Sequence, residues 1–351
     1  MFALCLGYGF AYASSNSCDK LLRQHSFLPV VLLALVLIAY IGLRPVSWSF
    51  SDMMLYAHVY ENAKISFIIG ESDWLFSYLI ILCRYLGMSV QTFFLLSAFL
   101  YIYLGLVACH KLLPENAMLA FLFFISAFSF WGYATNGIRN GLASSICILG
   151  IAYGIDKKWI QSLVLLYLAM SVHRAMVLPI GMFLIASFVI QKPKTAILFW
   201  LLSILISLVM GSRIIYFFAD LGFDDRLTNY VLLSNQMGNQ FSRTGFRWDF
   251  LLYSAVPVVL TWFIAERQEI QDTRFEILAN TYILSNALWV IINQAAFSNR
   301  FAYLSWFLYP FLLAYIFIRI PLWYDQDKKA GIALLLHASF TIFMYLIGKL
   351  Y

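Results

Sequence analysis

Apolar residues form long uninterrupted runs along this chain, and polar residues are confined to short segments between them. Residues 28–43, "LPVVLLALVLIAYIGL", and residues 195–211, "TAILFWLLSILISLVMG", are two such runs. Neither shows the alternation of apolar and polar positions that is typical of a strand with one wet face. Because backbone N–H and C=O groups must be paired inside a bilayer, these runs predict membrane-crossing helices.

The whole pattern predicts an all-α polytopic integral membrane protein, with roughly 11–12 transmembrane helices plus re-entrant or interfacial helices. We expect one integral domain over residues 1–351. Several runs are shorter than the roughly 20 residues that cross a bilayer comfortably, which favours re-entrant or merged segments. The predicted spans are residues 27–43, 74–90, 91–109, 117–134, 137–155, 159–173, 175–190, 196–218, 248–265, 277–297, 301–320 and 331–348.

Composition excludes a soluble domain and a nucleic-acid partner. The chain is 63% hydrophobic and 11% charged, whereas soluble domains are about 25% charged. The net charge of +6 comes from short basic clusters between apolar runs, where orientation signals belong. These clusters predict cytoplasmic loops at residues 19–24, 156–158, 191–194, 266–274 and 319–329.

The remaining loops are then predicted to face outward: residues 44–73, 135–138, 173–176, 219–247 and 298–300. An even number of crossings must separate two outward loops, yet three apolar runs lie between 44–73 and 135–138. One of these runs is therefore expected to be re-entrant or interfacial. Loops 44–73 and 219–247 are long and rich in aromatic residues, which argues against disorder. We expect amphipathic helices there that cap a cavity on the outer surface.

Arg139 is an unusual charge in the largely apolar stretch "TNGIRNGLASSI", residues 135–146. Gly137 and Gly141 have the spacing of close helix packing. Arg139 lies two residues from each glycine, about 200° around a helix, so packing does not account for it. Asn136 shares its face. A charge near the membrane marks a functional candidate, although an arginine that reaches a lipid headgroup is the alternative.

Other arginines also come to predicted outward loops, where orientation rules do not favour them. The outward set is Arg139, Arg174, Arg243, Arg247 and Arg300. The planar fork of arginine matches phosphate oxygens. His173 precedes Arg174; it is either a base or ligand of this face, or a polar residue satisfied by its neighbours. A zinc site is not expected, because no clustered Cys or His spacing is present.

Acidic residues on the outward side are the remaining candidates. Asp52 follows the first long span, and Glu71 and Asp73 precede an apolar run in "GESDW". A helix cap would account for Asp73 and also for Asp52. Asp224 and Asp225 do not have a D-x-D spacing, and no nucleotide-binding motif is visible. An enzyme of this kind would take an activated substrate from the membrane.

Five stretches occur in the order seen in the EpsG family, which includes many Wzy-type O-antigen and exopolysaccharide polymerases. They cover roughly residues 40–310, and they read "LRPVSWSFSDMMLY", "ESDWLFSYLIILCRYLGMSV", "NGIRNGLASSI", "VHRAMVLPIGMF" and "NRFAYLSWF". The resemblance implies a GT-C-like glycosyltransferase of the bacterial inner membrane with its active site facing the periplasm. Donor and acceptor would be undecaprenyl-diphosphate-linked oligosaccharides, with undecaprenyl diphosphate as the leaving group.

The resemblance also implies roles for the candidate residues. Asp52 or His173 would be the base, and Arg139 would stabilise the diphosphate with Arg174, Arg243, Arg247 and Arg300. No cofactor and no metal would be needed, and a Wzz-type chain-length regulator is a possible partner. The further candidates are Arg44, Tyr56, Glu71 and Asn136.

Two other activities fit the same residues. A transporter or flippase of lipid-linked sugars would also use a basic cavity, although internal repeats are common in transporters and none is visible here. An O-antigen ligase-like transferase would differ only in its acceptor.

Overall fold

A computed structural model of the chain describes residues 2–14, 27–50, 52–63, 73–210, 245–267, 271–294 and 298–350. Within these ranges all regular structure is helical, which confirms the predicted all-α class. The helices are α1 Phe2–Ser14, α2 Phe27–Gly42, α3 Asp52–Asn62, α4 Trp74–Tyr85, α5 Val90–Leu112, α6 Ala117–Ser126, α7 Phe128–Thr135, α8 Ile138–Ile155, α9 Trp159–Val172, α10 Val177–Phe188, α11 Pro193–Met210, α12 Trp248–Glu266, α13 Thr273–Ile291, α14 Ser298–Trp306, α15 Tyr309–Arg319 and α16 Gln326–Leu350.

Six helical segments of the described chain are long and apolar enough to cross a bilayer, and a bent pair would make a seventh. Shorter apolar helices, such as α4 and α9, accompany them. The protein is therefore a multi-pass membrane protein. The six long segments are Val90–Leu112, Ile138–Ile155, Pro193–Met210, Trp248–Glu266, Ser298–Arg319 and Gln326–Ile347.

The bent pair lies in the last of the three runs that precede the loop at 135–138. Its two parts, Pro114–Ser126 and Phe128–Thr135, meet at 67°. Ala127 between them has an extended backbone, with φ −69° and ψ 140°. This run is therefore a broken span or a re-entrant loop; of the two, only a re-entrant loop matches the expectation that one of the three runs is re-entrant or interfacial.

The contacts divide the chain into two compact units, residues 1–176 with 313–351, and residues 177–312. In the first unit, α8 is the most buried long helix and forms an antiparallel hairpin with α9. Its other face packs on α5, where the hydroxyl of Ser145 donates to the carbonyl of Tyr101 at 2.8 Å. A Cβ on Gly141 would meet Cβ of Tyr133 at 2.9 Å, so the small-residue spacing does serve close packing.

A second close crossing in the first unit joins α1 to α16. A Cβ on Gly331 would lie 2.6 Å from the backbone nitrogen of Ala13 and 2.6 Å from the carbonyl oxygen of Gly9. Only a residue without a side chain permits this approach of two backbones.

The second unit is organised around α13, which packs on α10, α11, α12 and α14. Its fully buried Asn286 accepts a hydrogen bond from the indole of Trp200 at 2.8 Å and donates to Ser305 at 2.9 Å. Nearby, Tyr282 donates to the carbonyl of Ser254 at 2.8 Å. Asn286 and Tyr282 are thus paired across helices, as an apolar surrounding requires.

Part of the first predicted loop, residues 44–73, is helical. A short 3₁₀ turn, Trp48–Phe50, precedes α3, and α3 buries Met53, Ala57 and Tyr60 at helical spacing while its other face is exposed. One face of α3 is thus buried within the first unit, while its exposed face carries apolar Leu55 and Val59 beside polar residues. Most of the second predicted loop, residues 219–247, lies outside the described residues.

Candidate functional site

Three chain segments of the first unit meet at the carboxylate of Asp73. Nη1 of Arg139 lies 2.6 Å from Oδ2 of Asp73, and Nδ1 of His173 lies 3.4 Å from Oδ1. The backbone N–H of Arg174 donates to the same Oδ1 at 2.6 Å. The three side chains are 11–19% exposed, so they are largely withdrawn from solvent. We call this arrangement the Asp73 cluster.

The α8–α9 hairpin explains why Arg139 and His173 lie close together. Arg139 is the second residue of α8, and His173 directly follows the last residue of α9. The helices are joined by a short turn in which Lys157 has a left-handed backbone, φ 60°. Antiparallel helices of comparable length bring the start of one beside the end of the other. Two cationic or protonatable groups thus share one end of the hairpin.

Asp73 reaches this end of the hairpin because of an unusual backbone conformation. It precedes α4 in the left-handed region, with φ 62° and ψ 28°, which few residues other than glycine, asparagine and aspartate adopt. Its carboxylate makes no capping hydrogen bond to α4. The helix-cap interpretation of this side chain is therefore wrong. The carboxylate instead faces α8 and α9.

The electrostatics of the cluster keep Asp73 ionised. Burial raises the pKa of its carboxyl, but the hydrogen bond with His173, the charge of Arg139 and the N–H of Arg174 together hold that pKa below the ordinary 3.8. Nε of Arg139 is buried and has no hydrogen-bond partner among the described residues. The guanidinium therefore retains a donor for a further acceptor, such as an anionic oxygen.

Arg174 enters the cluster through its backbone, because its side chain is exposed. Arg44, which follows α2, lies in the same unit. Its guanidinium donates to the carbonyls of Ile41 at 2.5 Å and Thr135 at 3.0 Å. Thr135 ends α7, only a few residues before Arg139, so the Arg44 contact links the first predicted outward loop to the start of α8.

The two candidate arginines of the second unit that the structure describes have other surroundings. Arg247 makes a bidentate pair with Asp249, through Nε at 2.9 Å and Nη2 at 2.6 Å. Its guanidinium carbon also lies 3.6 Å from the ring centre of Phe250. Arg300 is an exposed residue of α14. Arg247 is thus already occupied by a carboxylate within its own unit.

The remaining candidate residues either lie away from the Asp73 cluster or fall outside the described residues. No contact of Asp52 with the Asp73 cluster is found among the described residues; it begins α3. Tyr56 packs edge-on against Phe76 at 5.6 Å. Asn136 is exposed after α7, and its backbone N–H donates to Gly132. Two candidates, Glu71 and Arg243, lie outside the described residues.

The cluster has the elements of an anion-binding acid–base site. It offers a guanidinium with a spare donor, an imidazole whose ring is oriented by a carboxylate, and a carboxylate held ionised by its partners. No group of three or more His, Cys, Asp or Glu side chains with metal-binding geometry occurs in the described part of the chain. The three side chains of the cluster are suited to ion pairing and proton transfer.

Sequence reasoning named Arg139 and His173 but missed the carboxylate that joins them. A signal was available: an arginine in an apolar stretch needs a counter-charge, and buried charges are usually paired. Asp73 and Arg139 both lie where an apolar run begins on the predicted outward side. The local Ser–Asp pattern before a helix led to the cap interpretation instead.

The fold and this site define a multi-pass α-helical membrane protein with a partly buried acid–base cluster at one end of its helices. A sequence profile of the EpsG family matches residues 27–350, which is nearly the whole chain. The chain belongs to the EpsG family. Membership indicates a Wzy-like polysaccharide polymerase, a glycosyltransferase-like enzyme of polysaccharide biosynthesis. No curated protein and no solved structure matches the chain.

Proposed function

We propose that this protein is an O-antigen polymerase of the bacterial inner membrane, with its active site facing the periplasm. It joins undecaprenyl-diphosphate-linked oligosaccharide units by glycosyl transfer. The observation that carries the proposal is the Asp73 cluster, because it combines a diphosphate-binding cation with an oriented base. Family membership supports the polymer-forming chemistry, and the many apolar helices support a substrate held by a lipid.

In the proposed reaction, an acceptor sugar hydroxyl attacks the anomeric carbon of the donor glycan. The new C–O bond forms as the bond from that carbon to the diphosphate breaks, and the hydroxyl proton passes to the enzyme. Negative charge grows on the diphosphate oxygens as they leave. Arg139 stabilises this charge through donors that are in place before the reaction.

His173 is the proposed base. Its Nδ1 faces Asp73, so proton transfer takes place at Nε2, the ring nitrogen on the opposite side. The carboxylate stabilises the imidazolium that forms, as in other acid–base pairs built from histidine and aspartate. The distance of 3.4 Å is long for a hydrogen bond; such contacts often shorten when substrate binds.

Asp73 is then a positioning residue. It holds Arg139 and His173 at a shared carboxylate, so that leaving-group stabilisation and proton removal occur at neighbouring points. The carboxylate is satisfied by one guanidinium, one imidazole and one backbone N–H, which leaves it poorly suited to hold a metal. The proposed mechanism is accordingly independent of a metal, and it assigns no role to Asp52.

The deciding experiment compares variants by complementation and by assay of the purified protein. A strain that lacks this gene would receive wild-type, Asp73→Asn, His173→Gln or Asp52→Asn protein at matched abundance. We expect loss of long glycan ladders for Asp73→Asn and His173→Gln, and retention for Asp52→Asn. Losses of about 10²–10⁴-fold in polymerisation rate are typical when a general base is removed.

Four outcomes would contradict the proposal. Normal glycan ladders with His173→Gln would show that His173 is not the base. Loss of ladders with Asp52→Asn alone would assign the role of base to Asp52. Purified protein that does not lengthen a lipid-linked glycan would point to a transporter. A deletion strain that accumulates long polymer on the carrier lipid would indicate a ligase, because a polymerase mutant attaches only single units.

A further inference from the structure

Helices α5 and α8 cross the first unit in the same direction. In their middle parts, the hydroxyl of Ser145 in α8 donates to the carbonyl of Tyr101 in α5 at 2.8 Å. At their ends, Nζ of Lys111 in α5 lies 2.5 Å from Oδ2 of Asp156, which directly follows α8. Since the first turn of α8 belongs to the Asp73 cluster, both helices start on the side of the membrane that carries this cluster. We call it the Asp73 side.

The bent pair of α6 and α7 leads back to the Asp73 side. It begins just after α5 and ends at Thr135, two residues before the N-cap of α8. The guanidinium of Arg44, which follows α2, donates to the carbonyl of Thr135 at 3.0 Å, so α2 also ends on this side. The bent pair therefore connects the two ends of these helices, which is the path of a broken span.

Helix α4 starts and ends on the Asp73 side. The residue that precedes it belongs to the cluster, and four residues separate its end from the start of α5. At that start, Nε2 of Gln91 donates to the carbonyl of Arg44 at 3.1 Å. The ring of Phe76, in the first turn of α4, lies 6.0 Å from the ring of Phe93 in the first turn of α5. With 12 residues, α4 is about 18 Å long, whereas a bilayer core is about 30 Å thick.

One side of α4 is a stripe of leucines. Their spacing of i, i+4, i+7 and i+11 places them in one line along the helix. Near the end of α4, Leu82 is 53% exposed and Leu86 is 58% exposed. The leucine stripe consists of Leu75, Leu79, Leu82 and Leu86. This side of α4 therefore has the character of a lipid-facing surface.

The opposite side of α4 is polar. Ser77 and Arg84 lie about 180° around the helix from the leucine stripe, and both are exposed. Between these two sides, and away from the buried face, α4 carries Trp74, Tyr78 and Tyr85. Tryptophan and tyrosine are enriched where a membrane meets water. The sides of α4 thus follow the order of layers at a bilayer surface.

We propose that α4 lies along the membrane surface on the Asp73 side, with the leucine stripe in the acyl chains of that leaflet. Ser77 and Arg84 then face water, and the aromatic side chains lie at headgroup depth. Interfacial helices of this kind bury their apolar side about 5–10 Å into the boundary between headgroups and acyl chains. Of the three apolar runs that precede residues 135–138, α4 is then the interfacial one.

This placement puts the Asp73 cluster at headgroup depth, because Asp73 directly precedes α4. A diphosphate that links a sugar to a lipid lies at the same depth. The donor then reaches Arg139 by lateral movement within its leaflet. This consequence rests on the proposed function, whereas the placement of α4 does not.

The test measures the depth of spin labels on the purified full-length protein in phosphatidylcholine nanodiscs. Labels are attached to Leu75→Cys, Leu86→Cys or Ser77→Cys in a Cys18→Ser parent, since the four described cysteines are buried. Power saturation with oxygen and with a water-soluble nickel chelate gives the depth of each label. Labels at Leu75 and Leu86 should differ in depth by less than about 5 Å, whereas a crossing helix would separate them by about 16 Å. The label at Ser77 should be accessible to the nickel chelate.

Tyr103→Cys, in the middle of α5 and 47% exposed, is the control for a deep position and should be accessible to oxygen alone. The parent without an added cysteine gives the background signal. If Leu75→Cys does not fold, Leu79→Cys replaces it. A depth difference near that of a crossing helix would overturn the placement. Nickel access at both leucine positions would also overturn it, because α4 would then lie in water.

A second measurement separates the placement from the proposed function. Leu82→Glu puts a charge into the leucine stripe and should raise KM for a lipid-linked donor several-fold with little change in kcat. Ser77→Glu, on the polar side, is the matched control and should behave as the wild type. Equal KM values for the two variants would contradict lateral delivery of the donor. A wild type without polymerase activity would contradict the proposed function and leave the depth result intact.

Discussion

The carboxylate of Asp73 and the guanidinium of Arg139 form an ion pair of 2.6 Å between the residue that precedes α4 and the first turn of α8. Asp73 precedes α4 and Arg139 lies in α8, so the pair joins two parts of the chain that are not consecutive. The pair fixes the arginine at one point while Nε remains without an acceptor among the described residues. Arg139 is therefore held in place before any ligand arrives.

Arg139→Lys should lower polymerisation at least about tenfold, and Arg139→Ala about 10²–10³-fold. A lysine ammonium can contact Asp73 but lacks the fork that contacts a carboxylate and a phosphate at the same time. Rates would be measured with purified protein and a lipid-linked acceptor. Arg84→Lys, away from the cluster, is the control and should retain activity. A lysine variant with wild-type rate would contradict the need for the fork.

Asp73→Asn should change how the free energy of unfolding depends on pH. The folded-state pKa of Asp73 lies below 3.8, so its ionised form stabilises the fold above about pH 4. That stabilisation is lost as the pH falls through the folded-state pKa. The wild type should therefore unfold at a higher temperature than Asp73→Asn at pH 6, and the difference should narrow as the pH falls below 3.8. Thermal unfolding in detergent tests this; a constant difference across that range would contradict the assignment.

Gly331→Ala should separate α1 from α16 and cost about 1–3 kcal/mol of stability. The added Cβ would meet backbone atoms of Ala13 and Gly9 at 2.6 Å, and backbone cannot rotate away as a side chain can. Gly7→Ala in α1 is the matched control, because nothing lies within 4 Å of its Cβ position. It should be neutral or stabilising by up to about 1 kcal/mol. Equal melting temperatures for the two variants would contradict the close crossing.

Asn286→Ala should destabilise the second unit by about 0.6–1.7 kcal/mol, the range of hydrogen bonds between membrane helices. It removes the acceptor of Trp200 and a donor to Ser305. Ser203→Ala is the comparison, because its hydroxyl only donates to a carbonyl within its own helix. Tryptophan fluorescence during denaturation measures the stability of both variants. A larger loss for Ser203→Ala would show that the Asn286 network is not the stronger contribution.

Several parts of the site follow from local sequence. The apolar runs around 137–155 and 159–173 predict two helices joined by a short turn, and α8 and α9 occupy nearly these ranges. An antiparallel hairpin then places Arg139 and His173 at one end. This level of prediction works because a short turn allows two adjacent membrane helices almost no other arrangement.

Asp73 shows where local reasoning ends. A serine–aspartate pair before an apolar run has the composition of a helix cap, and the capping energy depends only on neighbours in the chain. The left-handed backbone at Asp73 turns the carboxylate toward α8 and α9 instead. That orientation depends on Arg139 and His173, which lie far along the chain. These residues stabilise the Asp73 carboxylate only after the helices have packed together.

Hydropathy along the chain is sufficient to establish an all-helical membrane protein, because transfer of a segment into lipid depends on that segment's own side chains and on pairing its own backbone. The pairing of acids with bases is different. Arg139 pairs with Asp73, Arg247 pairs with Asp249, and Arg44 has no carboxylate partner in the described chain. Similar arginines in similar loops thus acquire different roles, because Coulomb interactions depend on distances in space that only the packing of the helices establishes.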